Sequence, residues 1–277
     1  MARRIRLDAE LVRRGLARSR QQAGELIAAG RVRVSGTVAS KAATQIDPAQ
    51  PVEVQQDQAG TPEYASRGGH KLAGALDALG ESAPVIAGRR ALDAGASTGG
   101  FTDVLLRRGV THVVAVDVGY GQLVWALQTD PRVTVMDRTN VRTLEPAAID
   151  PPVDLVVSDL SFISLRLVLP ALAGVITDDA DLLLMVKPQF EVGKDRLGSG
   201  GVVRDPDLHL DAVLGVVVAA EHLGLGLQAA VASPLPGPSG NVEYFVHLRP
   251  GQGIEDPATA IRAAVDAGPL RQAGSST

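Results

Sequence analysis

A glycine-rich turn between a predicted strand and a predicted helix, in residues 91–106 (ALDAGASTGGFTDVLL), constrains the fold of this chain more than any other feature. Asp93 ends the strand, and Gly95 and Gly99 follow it in the spacing Asp-x-Gly-x-x-x-Gly. Glycines at these positions let the backbone approach a bound cofactor closely. Ser97 and Thr98 occupy the middle of the turn, where a dinucleotide site carries a glycine that makes room for a pyrophosphate. The turn therefore predicts a cofactor other than a dinucleotide.

Acidic residues also end the next two predicted strands. Asp117 ends HVVAVDVG about twenty residues after the turn, where a ribose-binding acid is expected. Asp137 ends VTVMD, within reach of an adenine amine. This pattern predicts a nucleoside-containing cofactor and suits S-adenosylmethionine (SAM). The candidate SAM-binding residues are Asp93, Gly95, Ser97, Gly99, Gly100, Phe101, Thr102, Asp117, Val118, Asp137 and Asp159.

Composition excludes several kinds of protein. The 277 residues, 45% of them apolar, suffice for one α/β core and a small extra domain. The chain has no cysteine, which excludes disulfides, thiolate zinc sites and cysteine nucleophiles, and we predict no metal site. The first 15 residues interleave charges with apolar residues, and the apolar run at residues 213–220 is too short to span a bilayer. We therefore expect a cytoplasmic protein without a membrane partner.

Charge is divided unevenly along the chain. Residues 1–41 contain ten Lys and Arg but only three Asp and Glu, a net charge of +7. The whole chain carries −4, so the remaining residues carry −11. A basic module on an acidic body predicts a polyanionic partner for the first part of the chain. A solvated, arginine-rich helix face is the alternative explanation.

Two short helices are predicted within the basic region. Residues 7–14 have helical spacing, and Gly15 is suited to end that helix. Ser19 and Gln22 form a capping box that begins a second helix, which continues through Ala29 and is followed by a glycine.

An alternating pattern of apolar and polar residues, VRVSGTVAS, surrounds Ser35-Gly36 and predicts a hairpin. This order of elements, centred on RSRQQAGELIAAGRVRVSG, resembles the S4 RNA-binding fold of ribosomal proteins and RNA-modifying enzymes over about fifty residues. The resemblance implies a surface that holds phosphates and recognises RNA shape. The candidate RNA-binding residues are Arg4, Arg6, Arg13, Arg14, Arg18, Arg20, Arg31 and Arg33, together with Arg67.

Strands and helices alternate after a polar, Gly- and Pro-containing segment within residues 48–64. The alternation predicts a Rossmann-like α/β domain, a parallel, doubly wound sheet with one antiparallel strand at its end. Its ligand should lie at the carboxyl ends of the strands. The predicted organisation is a small α+β S4-like domain (1–59), a linker (60–66), a SAM-dependent methyltransferase domain (67–267) and a disordered tail (268–277).

Several kinds of methyl transfer can be eliminated from the residues. Carbon-5 methylation of pyrimidines generally needs a cysteine nucleophile, which the chain lacks. Methylation of exocyclic base amines usually needs an Asn/Asp/Ser-Pro-Pro-aromatic turn after the fourth strand, and here the turn is Asp159-Leu160-Ser161-Phe162, without the prolines. Methylation of a ribose oxygen remains, and it requires a base and alignment with the methyl group.

Lysine is rare in this chain. It accounts for four of the 27 basic residues, and these are Lys41, Lys71, Lys187 and Lys194. Because arginine occupies the other basic positions, the lysines are candidates for chemistry that a guanidinium cannot perform, such as losing a proton. Lys187 ends the predicted fifth strand and Asp159 the fourth, so both lie at the ligand edge. The alternative is a lysine that extends to solvent.

Six segments in order carry a further resemblance: SRGGHKL, LDAGASTGGFTDVLL, DVGYGQL, SDLSFIS, VKPQFEVGK and SPLPGPSGNVEYF. Over residues 1 to about 250 the chain resembles the TlyA family, ribosomal RNA (rRNA) 2'-O-methyltransferases related to FtsJ-type enzymes and including proteins named as hemolysins. The resemblance implies SAM as cofactor and cytidine ribose in the 16S and 23S rRNA of both ribosomal subunits as substrate. It also implies a tetrad of Lys71, Asp159, Lys187 and Glu243, with Lys187 as general base.

The linker departs from the family pattern, because some members carry Arg-x-Trp-Val where this chain has Pro62-Glu63-Tyr64-Ala65. Three other functions are also considered: a membrane-active hemolysin, a non-catalytic RNA-binding factor for ribosome assembly, and a SAM enzyme for a small molecule. The sequence shows no convincing amphipathic membrane helix or export signal, which disfavours the first. The tetrad disfavours the second, and the basic S4-like module would have no purpose in the third.

Overall fold

The computed structural model describes residues 4–17, 20–28, 30–54, 63–237 and 240–268. The chain forms two compact units, residues 1–62 and 63–277. Several features predicted above lie outside the described residues: Arg18, the capping residue Ser19, Ala29, residues 55–62 at the end of the S4-like domain and in the linker, residues 238–239 of the last family segment, and the tail from residue 269.

The described residues of the first unit form two short helices and five short strands. They are β1 (Ile5–Arg6), α1 (Leu7–Arg13), α2 (Arg20–Ala28), β2 (Val32–Val34), β3 (Thr37–Val38), β4 (Gln45–Ile46) and β5 (Val52–Val54). Both predicted helices are confirmed, and the glycine after each adopts a positive φ, +69° at Gly15 and at Gly30. Leu11, Ile27 and Val32 are buried between these elements and form part of the core.

The predicted hairpin is also confirmed. Ser35 (φ 50°) and Gly36 (φ 81°) connect β2 to β3, whose residues Val34 and Thr37 are paired. Positive φ at both central residues is the requirement of a type I′ turn. The pairing of β1 with β4 was not predicted, because strands of two residues show no alternating pattern.

The second unit contains a seven-stranded sheet. Its strands are β6 (Arg90–Ala94), β7 (His112–Val116), β8 (Val133–Met136), β9 (Val153–Ser158), β10 (Ile176–Val186), β11 (Leu225–Ala232) and β12 (Tyr244–Pro250), in the order β11-β12-β10-β9-β6-β7-β8. The helices are α3 (Arg67–Leu79), α4 (Gly100–Arg107), α5 (Trp125–Gln128), α6 (Leu169–Ala173), α7 (Pro188–Glu191), α8 (Pro206–Glu221) and α9 (Pro257–Ala267).

The parallel part of the sheet is as predicted, but the antiparallel strand occupies a different place. β12 runs antiparallel to both of its neighbours, β10 and β11, and therefore lies inside the sheet and not at its edge. Residues 244–248 of β12 are all buried, as expected for a strand with a neighbour on each side. Because β12 is reversed, its first residue lies at the edge where the parallel strands end.

Helices cover both faces of the sheet. On one face α6, α8 and α9 contribute to a core that includes Leu169, Val216 and Ile261, and on the other α3 and α4 contribute Leu72 and Leu105. Helix α9 was not predicted. In the described part of the chain, no helix is both long and apolar enough to cross a membrane.

Candidate active site

One edge of the sheet gathers most of the predicted site residues. The parallel strands β6 to β10 end there, and each is followed by a candidate: Gly95 after β6, Asp117 after β7, Asp137 after β8, Asp159 after β9 and Lys187 after β10. Glu243 reaches the same edge from the opposite direction, because it immediately precedes the antiparallel strand β12. The topology therefore brings side chains from distant parts of the chain together.

Lys187 lies at the centre of this group. Its Nζ is 2.6 Å from Asp159 Oδ1 and donates a hydrogen bond of 2.7 Å to Ser161 Oγ. The lysine side chain is 8% exposed and that of Asp159 is 23% exposed, so the carboxylate is the more accessible partner. Ser161 was not among the predicted site residues, although it lies only two residues beyond Asp159.

Lys71 and Glu243 form a second, more deeply buried ion pair. Lys71 Nζ is 2.5 Å from Glu243 Oε2, and the two side chains are 7% and 1% exposed. The other carboxylate oxygen, Oε1, is 4.0 Å from Lys187 Nζ. Glu243 thus lies between two lysines, and the four predicted tetrad residues form one group of alternating charge. Such pairing is what makes burial of charged side chains tolerable.

Close backbone approach brings Lys71 to this position. Lys71 is on the second turn of α3, and α3 packs against α4. A Cβ added to Gly100 at the start of α4 would lie 2.7 Å from the backbone nitrogen of Gly69, so a side chain there would force the helices apart. Gly237 has a similar role, because its added Cβ would lie 2.7 Å from Glu243 Oε1. The sequence predicted Gly100 as a cofactor contact but not this packing role, and it did not predict Gly237 as part of the site.

Glu191 ties together the loops that carry Asp159 and Lys187. It is 5% exposed and lies on α7, which begins directly after Lys187. Its carboxylate accepts hydrogen bonds from Ser164 Oγ at 2.6 Å and from the backbone nitrogen of Leu165 at 2.7 Å, both in the loop after β9. Burial raises the pKa of Glu191, although these hydrogen bonds oppose the change. These hydrogen bonds connect the helix that follows Lys187 to the loop that follows Asp159.

The glycine-rich turn has the left-handed backbone that its sequence suggests. Gly95 and Gly99 have φ of 88° and 98°, and Ser97 between them has φ of 47°. Asp117 supports the turn, because its two carboxylate oxygens accept hydrogen bonds from the backbone nitrogens of Ser97 at 2.8 Å and Gly119 at 2.7 Å. Each oxygen retains further acceptor capacity for a ligand hydroxyl.

The rest of this edge also fits a nucleoside. Asp137 Oδ2 accepts a hydrogen bond from the backbone nitrogen of Gly121 at 2.9 Å. Val118 follows Asp117 and is 69% exposed, which leaves an apolar side chain available beside the carboxylate. The hydroxyls of a ribose need hydrogen-bond acceptors and an adenine ring needs an apolar neighbour, so these carboxylates and Val118 suit the predicted cofactor.

Other predicted cofactor ligands are buried. Asp93 is 0% exposed, and its Oδ2 accepts a hydrogen bond of 2.7 Å from Thr102 Oγ1. Burial is the main cause that raises the pKa of Asp93 to about 7. Phe101 packs within the core against Phe245, with ring centroids 6.0 Å apart, and Gly100 is buried as well. The side chains of Asp93, Phe101 and Thr102 are therefore buried below the glycine-rich turn and stabilise it.

Arginines of the first unit engage carboxylates of the same unit. Arg6 and Arg20 pair with Asp8, and Arg13 and Arg14 pair with Glu10. Arg33 donates a hydrogen bond to the Gly36 carbonyl, and Arg4 is exposed. In the second unit, Arg67 begins α3 and donates to the Pro236 carbonyl at 2.9 Å. The internal pairing in the first unit was not predicted from the charge count.

Comparison with known families identifies both units. Residues 64–250 match the FtsJ-like methyltransferase family, and residues 5–52 match the S4 domain. The first match covers most of the second unit, including all four tetrad residues, and the second covers most of the first unit.

Relatives of known name extend over nearly the full chain. A protein of Mycobacterium tuberculosis named 16S/23S rRNA (cytidine-2'-O)-methyltransferase TlyA is 58% identical over 276 residues, which span 97% of this chain and 100% of the relative. Hemolysin A of Brachyspira hyodysenteriae is 33% identical over 88% of this chain and 99% of its own. A solved structure of a hemolysin-named protein from Streptococcus thermophilus superimposes with a TM-score of 0.76 at 34% identity, covering 98% of this chain and 97% of the other. The chain therefore belongs to the FtsJ-like methyltransferases and, within them, to the TlyA family.

Proposed function

We propose that this chain transfers a methyl group from SAM to the ribose 2'-oxygen of cytidine in 16S and 23S rRNA, within ribosomal subunits in the cytoplasm. The observation that carries the proposal is the position of Lys187, between Asp159 and Glu243 at the sheet edge that also holds the glycine-rich turn. The relative named for this reaction supports the choice of substrate.

SAM, when bound, supplies a methyl group on a positively charged sulfur. In this proposal the turn at Gly95 and Gly99 receives the cofactor, Asp117 accepts hydrogen bonds from the ribose hydroxyls and Asp137 holds the adenine amine. Asp159, the most exposed member of the tetrad, lies next to the turn and orients the methyl group and the target ribose toward each other.

Lys187 acts as the general base in this proposal. A ribose hydroxyl is a poor nucleophile until it loses its proton. Lys187, which is paired as an ammonium with Asp159, first releases one proton to solvent. Its neutral Nζ then accepts the hydroxyl proton as the oxygen attacks the methyl carbon and the bond from that carbon to sulfur breaks. The resulting ammonium is held by Asp159 at 2.6 Å and by Ser161 at 2.7 Å, with Glu243 at 4.0 Å. Lys71 keeps the Glu243 carboxylate oriented and electrically balanced. No metal is required in this scheme.

The first unit would bind the RNA. Its basic arginines provide phosphate contacts, which position the enzyme on a folded RNA, while the second unit, with its acidic charge, performs the reaction. Phe, Tyr and Trp together make up only 3% of the chain, and this low aromatic content favours recognition of RNA shape and backbone over stacking on unpaired bases.

Methyl transfer can be tested with isolated ribosomal subunits and SAM that carries a radiolabelled methyl group. The proposal expects label in the rRNA of both subunits with the wild-type chain and none with Lys187→Ala. If the chain binds the subunits without transferring label, it acts as a non-catalytic assembly factor. If it instead releases dye from liposomes, it acts as a membrane-active hemolysin.

A further inference from the structure

Two buried carboxylates in the first unit each hold a pair of arginines. Asp8 has a side chain that is 6% exposed, and it accepts hydrogen bonds from Arg6 Nε at 3.0 Å and Arg6 Nη2 at 2.8 Å. Arg20 Nη2 donates to the same carboxylate at 3.0 Å. The Nη2 atoms of both arginines bond one oxygen, Oδ2, so the two guanidiniums lie close together despite their distance in sequence.

Glu10 repeats this arrangement two residues further along α1. Its side chain is 0% exposed, and Arg13 donates to it through Nε at 2.7 Å and Nη2 at 2.6 Å. Arg14 Nε donates to Oε1 at 2.7 Å, and Arg14 Nη2 donates to the Pro48 carbonyl at 2.6 Å. The two pairs therefore use the same geometry: a buried acid, one arginine bound through two nitrogens and a second through one.

The arginines themselves remain accessible to solvent. The side chains of Arg13 and Arg20 are each 59% exposed, Arg6 is 44% exposed and Arg14 is 21% exposed. A guanidinium has five N–H donors, and the carboxylates occupy only one edge of each group. Donors therefore remain for a second anion on the outer side, and the side chains have already lost the rotamer freedom that binding would otherwise remove.

We propose that Asp8 and Glu10 are positioning residues which hold Arg6 with Arg20, and Arg13 with Arg14, as two preorganised binding sites for phosphates of the RNA backbone. The inference rests on the proposed function, because it assumes that the first unit binds RNA. It adds that the affinity depends on how the arginines are held as well as on their charge.

Charge alone predicts the opposite effect of removing the acids. Asp8→Asn or Glu10→Gln adds one positive charge to a unit that already attracts RNA, so simple electrostatics expects tighter binding. If the carboxylates instead hold the arginines in place, each substitution frees two long side chains, and binding weakens. The sign of the change therefore separates the two accounts.

The test uses the full chain and a labelled transcript of 23S rRNA, with dissociation constants measured at several salt concentrations. We expect Asp8→Asn and Glu10→Gln each to weaken binding by about three- to tenfold, since each releases two ordered side chains. Glu53→Gln is the matched control, because Glu53 is an exposed acid on β5 of the same unit. This control has the same charge change and should bind as tightly as the wild type or slightly more tightly.

A second variant keeps both buried acids, because substitution of a buried acid can itself unfold the first unit. Arg6→Lys keeps the positive charge, but a lysine has one nitrogen where arginine has three. It therefore cannot bind Asp8 through two nitrogens and also offer further N–H donors to a phosphate. We expect it to weaken binding several-fold, whereas an account based on charge alone expects no change.

The outcomes separate the two proposals. Equal or tighter binding by Asp8→Asn, Glu10→Gln and Arg6→Lys, with a wild type that binds, would overturn the positioning roles and leave RNA binding intact. If the wild-type chain does not bind the transcript at any salt concentration, the proposal that the first unit binds RNA is contradicted. The proposed positioning roles of Asp8 and Glu10 are then contradicted as well.

Discussion

Lys187 and Glu243 face each other because they flank a pair of residues in the antiparallel ladder. Val186, the last residue of β10, lies opposite Tyr244, the first residue of β12. Lys187 follows the first and Glu243 precedes the second, which leaves Nζ and Oε1 4.0 Å apart. The reversed direction of β12 is thus what delivers an acid to an edge otherwise built from the ends of parallel strands.

Replacement of Lys187 should abolish methyl transfer without removing SAM binding. General-base catalysis contributes roughly 10² to 10⁴ in rate, so Lys187→Ala should lower kcat by at least about 10². Lys187→Arg should be equally inactive, because a guanidinium keeps the charge but does not accept a proton. Turnover is measured with labelled SAM, and cofactor affinity by calorimetry. Lys194→Ala, at an exposed lysine, is the control, and near wild-type turnover of Lys187→Ala would refute the assignment.

The Lys71–Glu243 pair should show strong energetic coupling. Loss of one partner of a buried ion pair leaves an uncompensated charge and costs about 3 to 5 kcal/mol, so Lys71→Met and Glu243→Gln should each lower stability to urea. The double variant should be much more stable than the sum of the single effects predicts, while still inactive. Additive single effects would show that the two side chains do not interact as their 2.5 Å separation indicates.

Asp117→Ala should weaken SAM binding by about 1.5 to 3 kcal/mol, the typical value for a hydrogen bond to a charged acceptor. The same substitution also removes the supports of Ser97 and Gly119, so the folded state is checked by thermal unfolding without cofactor. Asp117→Asn, which keeps one acceptor oxygen, should have an intermediate affinity. If calorimetry finds the wild-type affinity in Asp117→Ala, the ribose contact lies elsewhere.

Asp93 should make the stability of the second unit depend on pH. Its pKa is raised from 3.8 to about 7 in the folded state, mainly by burial. Below pH 3.8 the Asp93 carboxyl is protonated in both the folded and the unfolded chain. As the pH rises, the unfolded chain loses this proton first. The free energy of unfolding therefore falls until about pH 7 and is constant above it. Asp93→Asn removes the cost of burying an ionised carboxylate and should be more stable than the wild type by roughly 2 to 4 kcal/mol at pH 8. The gain should shrink toward pH 4, and an equal difference at both pH values would contradict the raised pKa.

Much of the fold could be predicted from the sequence because the relevant patterns are local. The turn at Gly95, the hairpin at Ser35-Gly36 and the strands of the sheet have recognisable spacing or continuous apolar runs. The internal position of β12 could not be predicted, because strand order depends on pairing between distant segments. Helix α9 was also missed.

The site was predicted less completely, for physical reasons. The sequence pattern shows that an acid lies at the end of a strand, but it does not show in which direction the side chain points. The sequence therefore did not distinguish the fully buried Asp93 from the half-buried Asp117. Lys187 and Asp159 follow from rare lysine usage and strand ends, whereas Glu243 came from family resemblance alone. Counting charges does not show which arginines are paired with acids, so the ion pairs of Asp8 and Glu10 with their arginines were not predicted.

The most direct test of the proposed function is identification of the methylated nucleoside. Purified chain is incubated with SAM and with ribosomal subunits that lack the modification, and the rRNA is digested to nucleosides and analysed by mass spectrometry. We predict 2'-O-methylcytidine from both 16S and 23S rRNA with the wild type, and none with Lys187→Ala. A methyl group on a base, or no methylated nucleoside from either rRNA, would contradict ribose methylation by the Lys187 site.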